Sequence, residues 1–255
     1  MMHTLAVILA RGGSKGLPNK ALRPLCGRPV LAYTIDHARA AGLVDAVVLT
    51  SDAEAILDLA RREGVLAVRR PAELATDTAT VDAAVRHAVR WYERRHAPVD
   101  AVIILYGNVP IRAEGIIDRV VKHLHKTGCD SVRTLTPISK LHPDWLHRLD
   151  GDVMTQYRPN SIYRRQDLEP LYYHDGSVIA VTRASLFTRP AHPGDFHAFF
   201  GCDRRGIVQP HEHDTVDVDT LTDLYLAEAI LRRRRDAPEA TPGPVDEPAE
   251  ALVPA

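Results

Sequence analysis

Cysteine is scarce in this chain: Cys26, Cys129 and Cys202 make an odd set with no metal-like spacing. A disulfide framework and a cysteine-built zinc site are thereby excluded, and a reducing, cytoplasmic setting is expected. Charge of one sign is also missing, since the formal net charge is only -1. Without a global basic field, neither nucleic acid nor an anionic membrane is an expected partner. No apolar run approaches about 18 residues, which excludes a transmembrane helix. The short run Leu5–Ala10 leads into glycines rather than a cleavage site, so it is not read as a signal peptide. Neither familiar glycine frame is present, because Gly12, Gly13 and Gly16 fit neither the P-loop nor the Rossmann spacing. His211-Glu212-His213-Asp214 has no third separate ligand and reads as a polar turn.

What remains is a chain of 255 residues with 45% hydrophobic content, enough for one substantial core. Its first sixteen informative residues, Leu5 to Lys20, pass from an apolar strand into a glycine loop. Glycines allow positive φ and let successive N–H groups converge on an anion, while Arg11, Lys15 and Lys20 add cationic donors. An ordinary turn with basic residues facing water fits the same letters.

Periodicity sets the organisation. A helix is expected from Pro29 to Ala41, a strand over Ala46–Thr50, and a helix from a Ser51-x-x-Glu54 capping box to Glu63, closed by Gly64. Val65–Arg69 supplies another strand. A polar loop from Arg69 to Thr80 precedes a helix bearing Val81, Ala84, Val85 and Ala88, with Thr78 or Thr80 as its cap. Asp100–Leu105 is the most apolar strand and is expected to be central, so Tyr106–Arg112 should face a pocket at its carboxyl end. A helix with Ile116, Ile117, Val120, Val121 and Leu124 on one stripe follows, then strands at Ser131–Leu135 and Tyr173–Thr182. This alternation predicts a doubly wound α/β domain with a mainly parallel sheet over residues 1–235. Residues 137–173 read as an insertion, and 236–255, rich in proline, alanine and acid, as a tail too poor in apolar surface to fold. The arginines from 232 to 235 suit a helix C-terminus.

Near the end, Thr215-Val-Asp-Val-Asp-Thr220 precedes a helix opened by a Thr220-x-x-Asp223 capping box. In an extended segment Asp217 and Asp219 project to the same side. Two such carboxylates repel unless a cation lies between them, and Mg²⁺ is commonly held by one or two carboxylates with phosphate oxygens and water. One of the pair could instead cap the helix.

Together, Leu9-Ala-Arg-Gly-Gly-Ser-Lys-Gly-Leu-Pro-Asn-Lys20, Arg70-Pro-Ala-Glu-Leu-Ala-Thr-Asp-Thr-Ala79 with Thr80, and Asp217-Val-Asp-Thr220 resemble the acylneuraminate (CMP-sialic acid) cytidylyltransferases. The resemblance runs up to the final helix and implies a nucleotide-diphospho-sugar transferase-like fold. It implies that Ala10, Arg11, Gly12, Gly13, Ser14, Lys15 and Lys20 cradle the triphosphate of CTP, that Arg70 and Thr80 hold the cytosine, and that Asp217 and Asp219 carry Mg²⁺. Arg11, Lys15, Asp217 and Asp219 would then be the catalytic set. It also implies a homodimer, with 137–173 crossing to the partner and Arg165 reaching a sugar acid. Around the acceptor the chain departs from the family pattern. Tyr106 replaces a sugar-contacting glutamine, Asp175 an asparagine and Ile179 a tyrosine, with Trp145 near the place of a lysine; Tyr106 and Asp175 remain the acceptor candidates. The expected reaction joins an acidic, sialic-acid-like sugar to CMP with loss of pyrophosphate. A different small acidic acceptor and a non-catalytic nucleotide-binding relative are the alternatives.

Overall fold

The computed structural model describes residues 2–13, 16–138, 140–192, 194–209, 211 and 214–236. Ser14, Lys15, Glu212, His213 and the tail beyond Asp236 lie outside the described residues. Eleven strands are present among those described: β1 (Thr4–Leu9), β2 (Pro24–Leu25), β3 (Arg28–Pro29), β4 (Ala46–Ser51), β5 (Leu66–Arg69), β6 (Ala101–Tyr106), β7 (Ser131–Pro137), β8 (His147–Asp150), β9 (Val153–Gln156), β10 (Tyr172–Thr182) and β11 (Arg204–Val208). The helices are α1 (Val30–Ala40), α2 (Glu54–Arg62), α3 (Val81–Glu93), α4 (Ile116–Thr127), α5 (Arg183–Leu186) and α6 (Leu221–Asp236).

Seven strands form the central sheet in the order β11-β7-β10-β6-β1-β4-β5. Every pairing is parallel except those of β10 with β6 and β7. The sheet is therefore mainly parallel and covered on both faces, as the alternation predicts. Period-two alternation sorts its side chains. Ala6, Ile8, Leu49, Ile103 and Leu105 pack under α1, α2 and α4, whereas Leu5, Val7, Val48, Val102 and Ile104 pack under α3, α5 and Phe199–Phe200. Each such side chain, fully buried, contributes roughly 1.5–3 kcal/mol relative to exposure.

The chain leaves β1 toward β4 and β5, then returns through α3 to place β6 on the opposite side of β1. That reversal opens a crevice beyond the carboxyl ends of β1 and β6, where open α/β sheets take their ligands. The strand β11 and the hairpin β8–β9 carry no clear sequence signal. Every residue of β8 and β9 is exposed, so no buried face marks them.

Two local expectations are corrected. The helix α2 is not opened by a Ser51–Glu54 capping box: Ser51 is the last residue of β4, Ala53 is the N-cap, and Glu54 pairs instead with Arg61 and Arg69. The Ser51 hydroxyl accepts from Ala53 N–H at 3.1 Å, stopping the strand without capping the helix. Pro29 falls at the N-cap of α1 rather than within its first turn. The Thr220–Asp223 box is present, with Thr220 N–H donating to Asp223 at 2.7 Å and Asp223 N–H to the Thr220 hydroxyl at 3.3 Å.

Candidate active site

A cavity of about 290 Å³ occupies the crevice. It is lined from β1 by Leu9, Ala10 and Arg11, from β6 by Tyr106, Gly107 and Asn108, and from the Arg70–Thr80 loop by Arg70, Thr76, Asp77 and Thr80, with Lys20 on the near wall. Ala10, Arg11, Lys20, Arg70, Thr80 and Tyr106 are thus brought together as the sequence motifs imply.

The glycines work differently from the expectation. Of Gly12, Gly13 and Gly16, the first two are not among the glycines with positive φ. What two of them require is closeness. A Cβ on Gly12 would lie 2.7 Å from Ala53 Cβ, and one on Gly16 would lie 2.8 Å from the Asp219 carbonyl oxygen. Gly16 therefore lets the loop lie directly on the acidic segment. The Gly12 N–H donates to Asp52 at 2.9 Å and Arg11 Nη1 to Asp77 at 2.8 Å. Gly13 is open and exposed.

Arg70 is buried against the end of β4, donating from Nη2 to the Thr50 carbonyl at 2.8 Å. Burial pulls its pKa down to about 10, with Asp52 opposing and Arg11 assisting the fall. Thr80 sits at the N-cap of α3 but makes no side-chain cap hydrogen bond, leaving its hydroxyl to the cavity.

Opposite the loop, Val216 and Val218 point into a core with Leu17, Leu25, Ile111 and Leu224, and the alternating Asp217 and Asp219 point out. The alternation read from the sequence is observed. Asn108 joins the two: its carboxamide nitrogen donates to Asp217 and lies 3.3 Å from Asp219. Lys20 Nζ donates to Asp219 at 2.5 Å. Although Asp217 is open on the cleft side, desolvation from behind raises its carboxyl to about 6, and the charge of Asp219 adds to the rise against Lys20 and Arg112. Two acids at one place, one of them reluctant to ionise, concentrate negative charge beside the cavity, with Lys20 as the nearest cation.

The turn carrying Asn108 is held by Arg112, which is 2% exposed. Its guanidinium donates to the carbonyls of Ser177 at 2.9 Å, Val109 at 2.5 Å and Tyr106 at 3.1 Å, and to the Thr34 hydroxyl at 3.0 Å. Asn108, Asp77, Asp52 and the role of Arg112 are absent from the sequence reading. Asn108 and Arg112 lie inside the stretch expected to face the pocket and Asp77 inside the Arg70–Thr80 motif, so position marks them while chemistry does not.

The acceptor candidates divide. Tyr106 lines the cavity and packs near Gly176. Asp175 does not line it, and its carboxylate is taken up by Thr134, Thr136, Gln209 and the Ser177 N–H. Ile179 is a core residue, 2% exposed. Arg165 is exposed in a short 3₁₀ turn, and Trp145 donates its indole N–H to the Ile162 carbonyl at 3.0 Å.

Several known proteins are similar to this chain. A family model described as cytidylyltransferase matches residues 5–228. A pseudaminic acid cytidylyltransferase of Campylobacter jejuni is 36% identical over 243 residues, covering 91% of this chain and 97% of its own. A CMP-N,N'-diacetyllegionaminic acid synthase of Legionella pneumophila is 29% identical over 241 residues, covering 92% and 99% respectively. An N-acylneuraminate cytidylyltransferase of Streptococcus agalactiae is 28% identical, and this chain spans about half of it (52%). Among solved structures, a CMP:2-keto-3-deoxy-manno-octonic acid synthetase complexed with CTP has the same fold, with a TM-score of 0.69 at 17% identity over 91% of this chain and 99% of that one. A family model matched along nearly the whole folded length, with a relative 36% identical over 91% of this chain, places this protein in the cytidylyltransferase family.

Proposed function

We propose that the protein transfers the cytidylyl group of CTP to an acidic sugar of the sialic, legionaminic or pseudaminic type, releasing pyrophosphate and forming a CMP-sugar. The observation that carries this reading is the convergence of Arg11, Lys20, Arg70 and Thr80 on one cavity, two of whose lining residues, Asn108 and Lys20, hydrogen-bond the adjacent acidic pair Asp217 and Asp219. The relatives named for such acids supply the acceptor class.

The steps follow from placement. Arg70, tethered to Thr50 through Nε and Nη2, presents the remaining donors of its planar fork to the cytosine edge beside Thr80. Arg11 and Lys20 neutralise charge along the triphosphate, with Ser14 and Lys15 completing the loop as the sequence motif implies. In-line attack by the anomeric hydroxyl on the α-phosphorus depends chiefly on this alignment and charge neutralisation. The donor set of Asp217 and Asp219, all oxygen with no histidine or cysteine, fits a hard dication such as Mg²⁺. When bound, Mg²⁺ would offset phosphate charge and favour departure of pyrophosphate.

A homodimer is part of the proposal. The hairpin β8–β9 exposes Leu149, Val153 and Met154 at 61–71%, a patch that suits a second copy within the 137–173 segment that also carries Arg165. Consumption of CTP favours a cytoplasmic site of action. The test is a panel of CTP, UTP, ATP and GTP against several sugar acids, read by pyrophosphate release. Turnover with CTP and at least one nine-carbon acid is expected; CTP binding without turnover of any acid would leave only the non-catalytic reading.

A further inference from the structure

Asp175 occupies a position where a direct contact to the acceptor is the natural expectation, yet each of its oxygens is spent inside the protein. Oδ1 accepts from the Thr134 hydroxyl at 2.5 Å and from the Ser177 N–H at 2.9 Å; Oδ2 accepts from the Thr136 hydroxyl at 3.0 Å and from Gln209 Nε2. With four donors, a carboxylate's acceptor sites are filled. A neutral amide could not accept from all four, so the charge at this position is matched to its surroundings.

Gln209 carries the contact onward. It is fully buried at the end of β11, and its backbone N–H donates to the Leu135 carbonyl at 2.8 Å. The same Nε2 that meets Asp175 also donates to the Thr215 hydroxyl at 2.6 Å. Only the NH₂ end of the amide can face a carboxylate, so this orientation is fixed, and Gln209 Oε1 is left without a partner among the described residues. Thr215 begins the segment that continues through Val216, bridged to Ile111, to Asp217. On its other side, Ser177 gives its N–H to Asp175 and its carbonyl to Arg112, the residue that holds the Asn108 turn. One polar chain, Arg112–Ser177–Asp175–Gln209–Thr215, thus ties both walls of the acidic pair to β10.

We propose that Asp175 and Gln209 are positioning residues for Asp217, setting where the Thr215–Asp219 segment enters the cleft, and that Asp175 does not contact the acceptor. The inference rests on the assignment of Asp217 and Asp219 to a divalent cation. Groups that orient metal-binding carboxylates typically change metal affinity about tenfold or more when removed.

The experiment titrates Mg²⁺ calorimetrically into the full chain saturated with CTP, and measures kcat and the acceptor KM separately. Asp175→Ala and Gln209→Leu are both expected to weaken Mg²⁺ about tenfold and lower kcat, with the acceptor KM within about twofold of wild type. The isosteric Asp175→Asn, which preserves volume if alanine prevents folding, is expected to shift both quantities in the same direction. A rise in acceptor KM with Mg²⁺ affinity unchanged would make Asp175 a substrate contact and overturn the proposal. Asp217→Asn separates the two readings. If it leaves Mg²⁺ affinity unchanged, the metal assignment falls and this inference with it; if it abolishes binding while the Asp175 and Gln209 variants retain it, the inference alone falls.

Discussion

Arg112→Met should destabilise the protein by about 1–3 kcal/mol, the range for leaving a buried hydrogen-bonding group unsatisfied. The side chain is 2% exposed, and among the described residues no carboxylate is a hydrogen-bond partner. Its charge is instead solvated by the carbonyls of Tyr106, Val109 and Ser177 and the Thr34 hydroxyl. Burial draws its pKa down to about 9, with the fields of Asp217 and Asp175 opposing. Methionine matches the stem but leaves the Ser177 carbonyl without this donor, at roughly 1–3 kcal/mol, while the Tyr106 carbonyl still accepts from Val109 N–H at 3.3 Å. Two effects reduce the cost. Desolvation of the guanidinium, several kcal/mol, is no longer incurred, and the Thr34 hydroxyl still donates to Val109 at 3.0 Å. Urea unfolding at pH 7.5 provides the measurement, with the slope checked for two-state behaviour. A loss below about 1 kcal/mol at unchanged slope would show that the carbonyl cage relaxes at little cost, and the argument that Arg112 fixes the Asn108 turn would fail.

Three further outcomes follow from other parts of the structure. Gly107→Ala places a Cβ 2.8 Å from Leu31 Cδ1, 3.1 Å from the Leu9 carbonyl and 3.2 Å from Ala10 Cβ, so a stability loss of about 1–3 kcal/mol is expected by thermal unfolding, together with weaker CTP binding. His37 is held neutral, its pKa lowered to about 3 mainly by burial and then by Arg112 and Arg234, with Asp36 opposing. Because the unfolded histidine binds its proton near 6.5, stability is full above that pH and falls as pH drops toward 3, by about 2 kcal/mol at pH 5; His37→Gln should remove that component of the urea midpoint, and an unchanged pH 7 to pH 5 difference would contradict it. Arg70→Met should weaken CTP by about ten- to a hundredfold in calorimetry while leaving inorganic pyrophosphate binding within about twofold, whereas equal losses for both would place the guanidinium on the phosphates.

Much of this was legible in the residues because period two and short-range chemistry wrote it there. The apolar runs of β1, β4 and β6, the outward pair Asp217 and Asp219 alternating with buried Val216 and Val218, and the Thr220–Asp223 cap are all local patterns. The misread parts depend on distant partners. Ser51 and Glu54 have capping-box spacing, but Ser51 is claimed by a strand paired with β5 and Glu54 by Arg61 and Arg69. Gly12 and Gly16 are needed for close approach to Ala53 and Asp219, far along the chain. Likewise Asn108, Arg112 and Gln209 acquire their meaning only when β6, β11 and the segment after Thr215 meet at one end of the sheet.

The most direct measurement of the central claim follows ³¹P resonances in a mixture of the wild-type protein, CTP, Mg²⁺ and a nine-carbon sugar acid, with Asp217→Asn run in parallel. The account expects a CMP-sugar phosphodiester and pyrophosphate to grow in together for the wild type, slowed by at least about a hundredfold in the variant. Equal rates for the two proteins would contradict it.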